Sequence, residues 1–504
     1  MKEIVLTTFN ARYSHTSLAL RCLQANLKEF EDRSQIVEFI INSNVTDALE
    51  EILTYKPKIV AISTYIWNAT HSSELIELLK LVAPEITIII GGPEASHFPH
   101  RVDFSKADYV VQGEGEISFY ELIKDLFEKN PPKLKIINGK VPDLKSIKLP
   151  YDHYSDEDIK NRHCYIEASR GCPFSCEFCL SSLDKRVREI PMEKFMKELE
   201  KLWERGVRNF KFIDRTFNLS IPNSTALLDY FLSKNEEYFV HFEVVPDRFP
   251  KALKERLTKF KPASLQLEVG IQTLNPKVAA RINRRLDMEK ISKNLAFLQE
   301  ETEAHLHVDL IIGLPGEDLE SLAKSLNKLY SLTQCEIQVG ILKKLSGTTI
   351  SRHDEEFEMV YSNKPPYEIL KNKDLSFQKM QELKRFARFW DLVFNSGNFK
   401  LSCKHLWRDG KVFEGFLNFS NWLFLQTQST WQISLERLAG YIFTYLCEVM
   451  NEDKEFVKKI MIEDLMIIRG RKLPLFLRDE VVESEKRKEP KKANIRQLKH
   501  SKSD

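Results

Sequence analysis

The chain has 504 residues, eight cysteines, 42% hydrophobic residues and 75 Lys+Arg against 73 Asp+Glu. That length suggests about three domains, and the composition excludes a chain disordered throughout. A formal charge of +2 argues against a dedicated nucleic-acid-binding protein, and eight cysteines are too sparse for a small disulfide-built fold. Strand-like runs come first, at 4–8, 35–40, 58–63, 86–90 and 109–112, with amphipathic stretches such as 17–30 and 72–81 between them. This alternation predicts a doubly wound, Rossmann-like parallel sheet over 1–135. A segment with Pro131, Pro132, Pro142 and Pro150 follows, and 136–161 reads as a linker.

Alternation resumes at 164–168, 209–213, 240–245, 264–269, 305–312 and 336–342, with helical patterns at 192–205 and 319–332. Six βα units predict a partial TIM-type barrel over 162–350, whose site lies at the strand carboxyl ends. Beyond it, Leu383, Phe386, Trp390, Val393 and Phe394 follow helical spacing, with Gly397 as a stop. Residues 351–483 read as a mostly α-helical domain. Residues 484–504 carry eight Lys/Arg against three Asp/Glu and read as a disordered basic tail. The aromatic residues of the helical part read as core packing, and Cys403 with His405 do not make a metal site. No apolar run is long enough to span a membrane, and the N-terminus shows no signal-peptide pattern. The expected location is the cytoplasm, where thiols stay reduced.

The sharpest motif is Arg170-Gly171-Cys172-Pro173-Phe174-Ser175-Cys176-Glu177-Phe178-Cys179. Three thiols lie within eight positions, on a Gly/Pro turn just past a strand. Thiolates are the usual ligands of iron–sulfur clusters and common for zinc. Three cysteines would hold three irons of a cubane and leave the fourth open. The competing reading is a zinc knuckle with Cys164 or His163 as a fourth ligand.

C-x3-C-x-aromatic-C after the first strand of a βα barrel resembles the radical S-adenosylmethionine (SAM) superfamily. Four segments match in register: 212–218 (FIDRTFN), 242–247 (FEVVPD), 268–273 (EVGIQT) and 309–317 (DLIIGLPGE). The resemblance implies that Cys172, Cys176 and Cys179 bind a [4Fe-4S] cluster and that SAM chelates the open iron. One electron would then cleave SAM to methionine and a 5′-deoxyadenosyl radical. It also implies that Phe178, Asp214, Arg215, Thr216, Glu243, Glu268, Gln272 and Gly313 contact SAM. Ordinary strand-end hydrogen bonding is the competing reading for each, and a salt bridge for Arg215 and Arg284. An external donor such as flavodoxin or ferredoxin would supply the electron.

At the strand ends of the first sheet lie Tyr13 and Ser14, Ser63 and Thr64, Gly91-Gly92-Pro93-Glu94, and Gly113-Glu114-Gly115-Glu116. Glycine there lets a flat ligand approach the backbone. Neither G-x-G-x-x-G nor a Walker A sequence occurs. Joined to a radical SAM barrel, this sheet resembles a cobalamin (B12)-binding domain. The resemblance implies that Tyr13, Ser14, Ser63, Thr64, Gly91, Gly92, Glu94, Gly113, Glu114, Gly115 and Glu116 hold cobalamin. D-x-H-x-x-G is missing, so no protein histidine is implied as lower cobalt ligand; His15 lies in the right loop without that context. The expected function is a cobalamin-dependent radical SAM enzyme, most simply a methyltransferase acting on an unactivated carbon of a small molecule or peptide rather than on nucleic acid. One alternative is a methylthiotransferase acting on tRNA or ribosomal protein. It needs N-terminal cysteines for a second cluster, and Cys22 alone precedes Cys164. A non-catalytic cobalamin and cluster sensor is the other.

Overall fold

A computed structural model of the protein describes residues 2–468 and 471–480. The expected basic tail, 484–504, lies outside them. The chain folds as two compact units. One holds the residues up to Arg215 together with Lys343–Arg352 and Tyr361–Glu368. The other holds Thr216–Leu342, His353–Val360 and the chain from Ile369 onward.

The first unit is built on β1 (Ile4–Asn10), β2 (Ser34–Ile40), β3 (Ile59–Ser63), β4 (Thr87–Gly91), β5 (Tyr109–Gln112) and β6 (Ile136–Asn138). They form one parallel sheet in the order β2-β1-β3-β4-β5-β6. Successive strand residues point to opposite faces. Val5 and Phe9 therefore join a core with the helices Val45–Thr54 and Ala69–Val82, while Ile4 and Leu6 join another with Leu18–Ala25 and Glu116–Phe127. Burial on both faces explains the unbroken apolar runs. The strand order reverses between β1 and β3, the point where ligands of doubly wound sheets bind.

Five strands lie where the sequence predicts them. The sixth, β6, and the helix Asp156–Asn161 occupy the segment expected as a linker. That helix is capped reciprocally by Ser155 and Asp158, so the segment is folded rather than a spacer. Further along are β7 (Cys164–Ile166), β8 (Ser169–Arg170), β9 (Arg188–Glu189) and β10 (Asn209–Phe212). β10 pairs in parallel with β7, and β8 pairs antiparallel with β9.

In the second unit β11 (Phe239–Val244), β12 (Leu265–Gln272), β13 (His305–Ile312) and β14 (Glu336–Ile341) run parallel in the order β14-β13-β12-β11. Along β12, Leu265, Leu267, Val269 and Ile271 are buried, and Gln266, Glu268, Gly270 and Gln272 alternate with them on the other face. The six expected strands of the second run are all present. The division between units falls just after β10, inside the expected 162–350 core. The expected helical domain is part of the second unit: Trp390 Nε1 donates to Ile337 O of β14 at 2.9 Å, and Asn395 Oδ1 accepts from Ile337 N at 2.9 Å. Trp390 and Phe394 stack at 4.3 Å, and Phe386 meets Phe413 at 5.0 Å, so these aromatics are core. Among the described residues no helix is long and apolar enough to cross a membrane.

Candidate functional site

The cysteine loop spans the interval between β8 and β9. Gly171 opens it at φ +87, and a Cβ there would lie 2.2 Å from Arg186 O, so only glycine fits. Cys172 N donates to Asp184 O at 2.9 Å and Cys179 N to Cys176 O at 3.2 Å. Cys172 and Cys176 are buried, Cys179 and Phe178 half-buried, and none of the three cysteines is in a disulfide. Among the described residues no three His, Cys, Asp or Glu side chains gather as a single-ion site. A four-iron cubane takes each thiol on a different iron and makes no such demand. The donor set thus fits a cluster: three thiols on one loop whose turns are fixed by backbone hydrogen bonds.

Glu177, between the second and third cysteines, is 1% exposed. Its carboxylate receives Arg352 Nε at 2.9 Å and Nη2 at 2.5 Å, and its carbonyl accepts from Ile350 N at 3.1 Å. The strap Lys343–Arg352 therefore holds the loop from outside. In sequence Glu177 carries only one signal, that it is a lone acid among three thiols.

Asp214 is 4% exposed. It accepts from Ala168 N at 2.9 Å and Ser169 Oγ at 2.6 Å, which ties the end of β10 to the root of the cysteine loop. Burial pushes its carboxyl up to about 7. Arg215 is exposed and Thr216 is buried.

The second unit gathers acids. Register places Glu243 of β11 beside Glu268 of β12, Glu268 beside His307 of β13, and Gly270 beside Asp309. His241 Nε2 lies 3.1 Å from Glu268 Oε2. Burial pushes the Asp309 carboxyl well up, and the neighbouring Glu268 and Glu243 charges push it further, with Arg284 opposing. Asp309 Oδ1 is buried with no hydrogen-bond partner. Asp309 begins the 309–317 segment, yet the expected contacts stopped at Gly313. A bulge at 270–272 puts Gln272 at φ +71, and Arg284 Nη2 donates to Gly270 O. Gly313 has a packing role: at φ +91 a Cβ would lie 2.6 Å from Ile369 Cγ2. Thr273 Oγ1 donates to the buried Glu317 Oε1 at 2.5 Å, which links the ends of β12 and β13.

At the first sheet's carboxyl end, Thr64 Oγ1 donates to Gly91 O at 2.8 Å. A Cβ on Gly92 would lie 2.5 Å from Thr64 O, so the two loops abut through backbone. Ser63 O accepts from Thr8 Oγ1 at 2.9 Å, Ser14 O from His163 N at 2.8 Å, and Tyr13 hydroxyl donates to Glu157 at 2.5 Å. Gly113 has open space around its Cβ position, whereas one on Gly115 would meet Leu23 Cδ2 at 2.7 Å. Glu94 accepts from Tyr367 hydroxyl at 2.5 Å. Glu114 and Glu116 pair with Arg170 at 2.7 and 2.6 Å. His15 Nδ1 lies 2.5 Å from Tyr165 hydroxyl, and burial lowers its pKa to about 4. Cys22 is buried, with Arg170 Nη2 at 3.9 Å.

Three family models match successive stretches of the chain. The B12 binding domain matches residues 4–123, the radical SAM superfamily matches 166–329, and a protein of unknown function (DUF4080) matches 355–503. An uncharacterized methyltransferase of Pyrococcus horikoshii is 24% identical over 365 residues, covering 66% of this chain and 77% of that protein. The cobalamin-dependent radical SAM methyltransferase TokK of Streptomyces tokunonensis is 24% identical over 310 residues, 54% of this chain and 45% of TokK. The radical SAM methyltransferase TsrM of Kitasatospora setae, solved with tryptophan substrate and a SAM analog, shares the fold. Its TM-score is 0.58 at 15% identity, over 75% of this chain and 81% of TsrM. This chain therefore carries a B12 binding domain followed by a radical SAM domain, and the cofactors those domains imply are cobalamin, SAM and a [4Fe-4S] cluster.

Proposed function

We propose that this chain is a cobalamin-dependent radical SAM methyltransferase acting on an unactivated carbon of a small molecule or peptide. The observation that carries the reading is that the three-cysteine loop folds in one compact unit with a B12-type sheet. A bound cluster would supply the electron for cleavage of SAM to methionine and a 5′-deoxyadenosyl radical, and cobalamin would carry the methyl group. Cys172, Cys176 and Cys179 would hold the cluster, and Glu177 with Arg352 would keep their loop in place. Glu243, Glu268 and Gln272 offer acceptors for the SAM amine and ribose hydroxyls. Asp309, whose carboxyl is pushed well up by burial and then by Glu268 and Glu243, offers a donor in the same row when protonated. Loops at the β1/β3 switch point, with Tyr13, Ser14, Ser63 and Thr64, would receive cobalamin. TsrM, solved with tryptophan as substrate, supports a small-molecule substrate. The test is anaerobic reconstitution with SAM, reductant and methylcobalamin, followed by chromatography. The expected product is 5′-deoxyadenosine; its absence with every metabolite mixture supplied contradicts the reading.

A further inference from the structure

The cysteine loop leaves and re-enters the fold through a narrow neck. Ser169 lies opposite Glu189 and Arg170 opposite Arg188. All three cysteines hang from that pair of strands. Two arginines facing each other across a ladder repel, so something must compensate. Both reach one carboxylate. Arg170 Nη1 donates to Glu114 Oε2 at 2.7 Å, Arg188 Nη1 donates to the same oxygen at 3.3 Å, and Arg188 Nη2 donates to Glu114 Oε1.

Glu116 and Glu167 complete the ring around Arg170, each 2.6 Å from Nη2. Burial opposes the Arg170 charge, but Glu167 and Glu116 outweigh it and hold the guanidinium charged. The second arginine reaches into the loop itself. Arg188 Nη2 lies 3.3 Å from Asp184 Oδ2, and the carbonyl of Asp184 accepts the Cys172 N–H. Charge-assisted contacts thus run from Glu114 through Arg188 to Asp184, whose backbone carbonyl in turn holds the first cysteine's N–H.

We infer that Glu114 is a positioning residue for the cluster: it clasps both strands of the loop's neck to the turn that follows β5. The turn expected to face cobalamin thereby also sets where the three thiols sit. A bidentate guanidinium–carboxylate grip fixes direction as well as distance, which the spacing of three cluster ligands requires. This inference rests on the reading of Cys172, Cys176 and Cys179 as cluster ligands. It differs from a role for Glu114 as a cobalamin contact, in which the cluster would be indifferent to its loss.

The test compares full-length wild type, Glu114→Gln and Arg188→Lys after anaerobic reconstitution with iron and sulfide. The measurements are the rate of iron loss to a chelator, the EPR spectrum of the reduced cluster, and cobalamin affinity by absorbance titration. For Glu114→Gln we expect iron loss about tenfold faster, because a largely buried ion-pair network loses its shared anion, together with a broadened EPR signal. Arg188→Lys keeps the charge without the fork, so it should shift both readouts the same way by less; it also carries the test if Glu114→Gln does not fold. Wild-type iron loss and spectrum in both variants overturn the inference, the more so if Glu114→Gln weakens cobalamin binding alone. A wild-type chain that holds no four-iron cluster overturns the underlying reading, and the inference with it.

Discussion

Carboxylates are set in different company in the two units. In the first, Asp214, Glu94, Glu114, Glu116 and Glu177 each meet a donor from the protein, at 2.5 to 2.9 Å. In the second, Glu243, Glu268 and Asp309 lie on neighbouring strands, with His241 Nε2 3.1 Å from Glu268 Oε2, and Asp309 Oδ1 meets no donor. Compensated acids brace a loop. Neighbouring acids raise the pKa of a buried one, as Glu268 and Glu243 do for Asp309, and such arrangements mark sites built for a ligand or proton.

The largest expected effect tests the first unit's frame. Cys172→Ala should abolish cluster assembly and SAM cleavage, seen as loss of iron and of the cluster absorbance. Next comes the second unit's row of acids. Glu268→Gln should weaken SAM binding by about tenfold, a charge-assisted hydrogen bond being worth about 1.5 kcal/mol or more. Asp309→Asn, in contrast, should leave the SAM-free protein about as stable, because an amide fits a buried position whose acidic neighbours already favour the uncharged form; calorimetry reads this, and a Tm fall of several degrees would break the comparison. In the first unit, Arg352→Ala strands the buried Glu177 carboxylate and should cost about 1–2 kcal/mol in denaturant unfolding.

A smaller effect is the pH dependence. Asp214 and Glu317 are both raised to about 7 by burial, from ordinary values near 4. The folded chain therefore binds protons that the unfolded chain has released. Their stabilisation is complete below about pH 4 and is lost as pH rises through about 7. Tm should fall between pH 5 and 8 by about 3 °C or more, and Asp214→Asn should flatten that slope.

The same contrast explains what the sequence could tell. Period and punctuation located β1 to β5 and the six later strands, because burial on both faces leaves unbroken apolar runs. The 136–138 strand escaped because Ile136–Asn138 is short, half-exposed and at the sheet edge. The cysteine spacing was legible because thiols in a Gly/Pro turn have few other uses. Glu114 and Glu116 were legible as important, but their arginine partners are 54 to 74 positions away, and separation of that size leaves no local pattern. Glu177 is paired with Arg352, farther still. The aromatic residues after position 380 were read as helical core, and Trp390 bonded to Ile337 bears this out. That they pack on β14 rather than form a separate unit depended on long-range partners.

The proposed chemistry needs an iron left open by the three cysteines of the first unit, and SAM reaching it. EPR of the reduced, reconstituted protein, recorded with and without SAM, tests this most directly. A cluster of about four irons per chain whose signal shifts when SAM is added is the predicted result. An unchanged spectrum, or about eight irons per chain, contradicts it, and the second outcome would restore the methylthiotransferase reading.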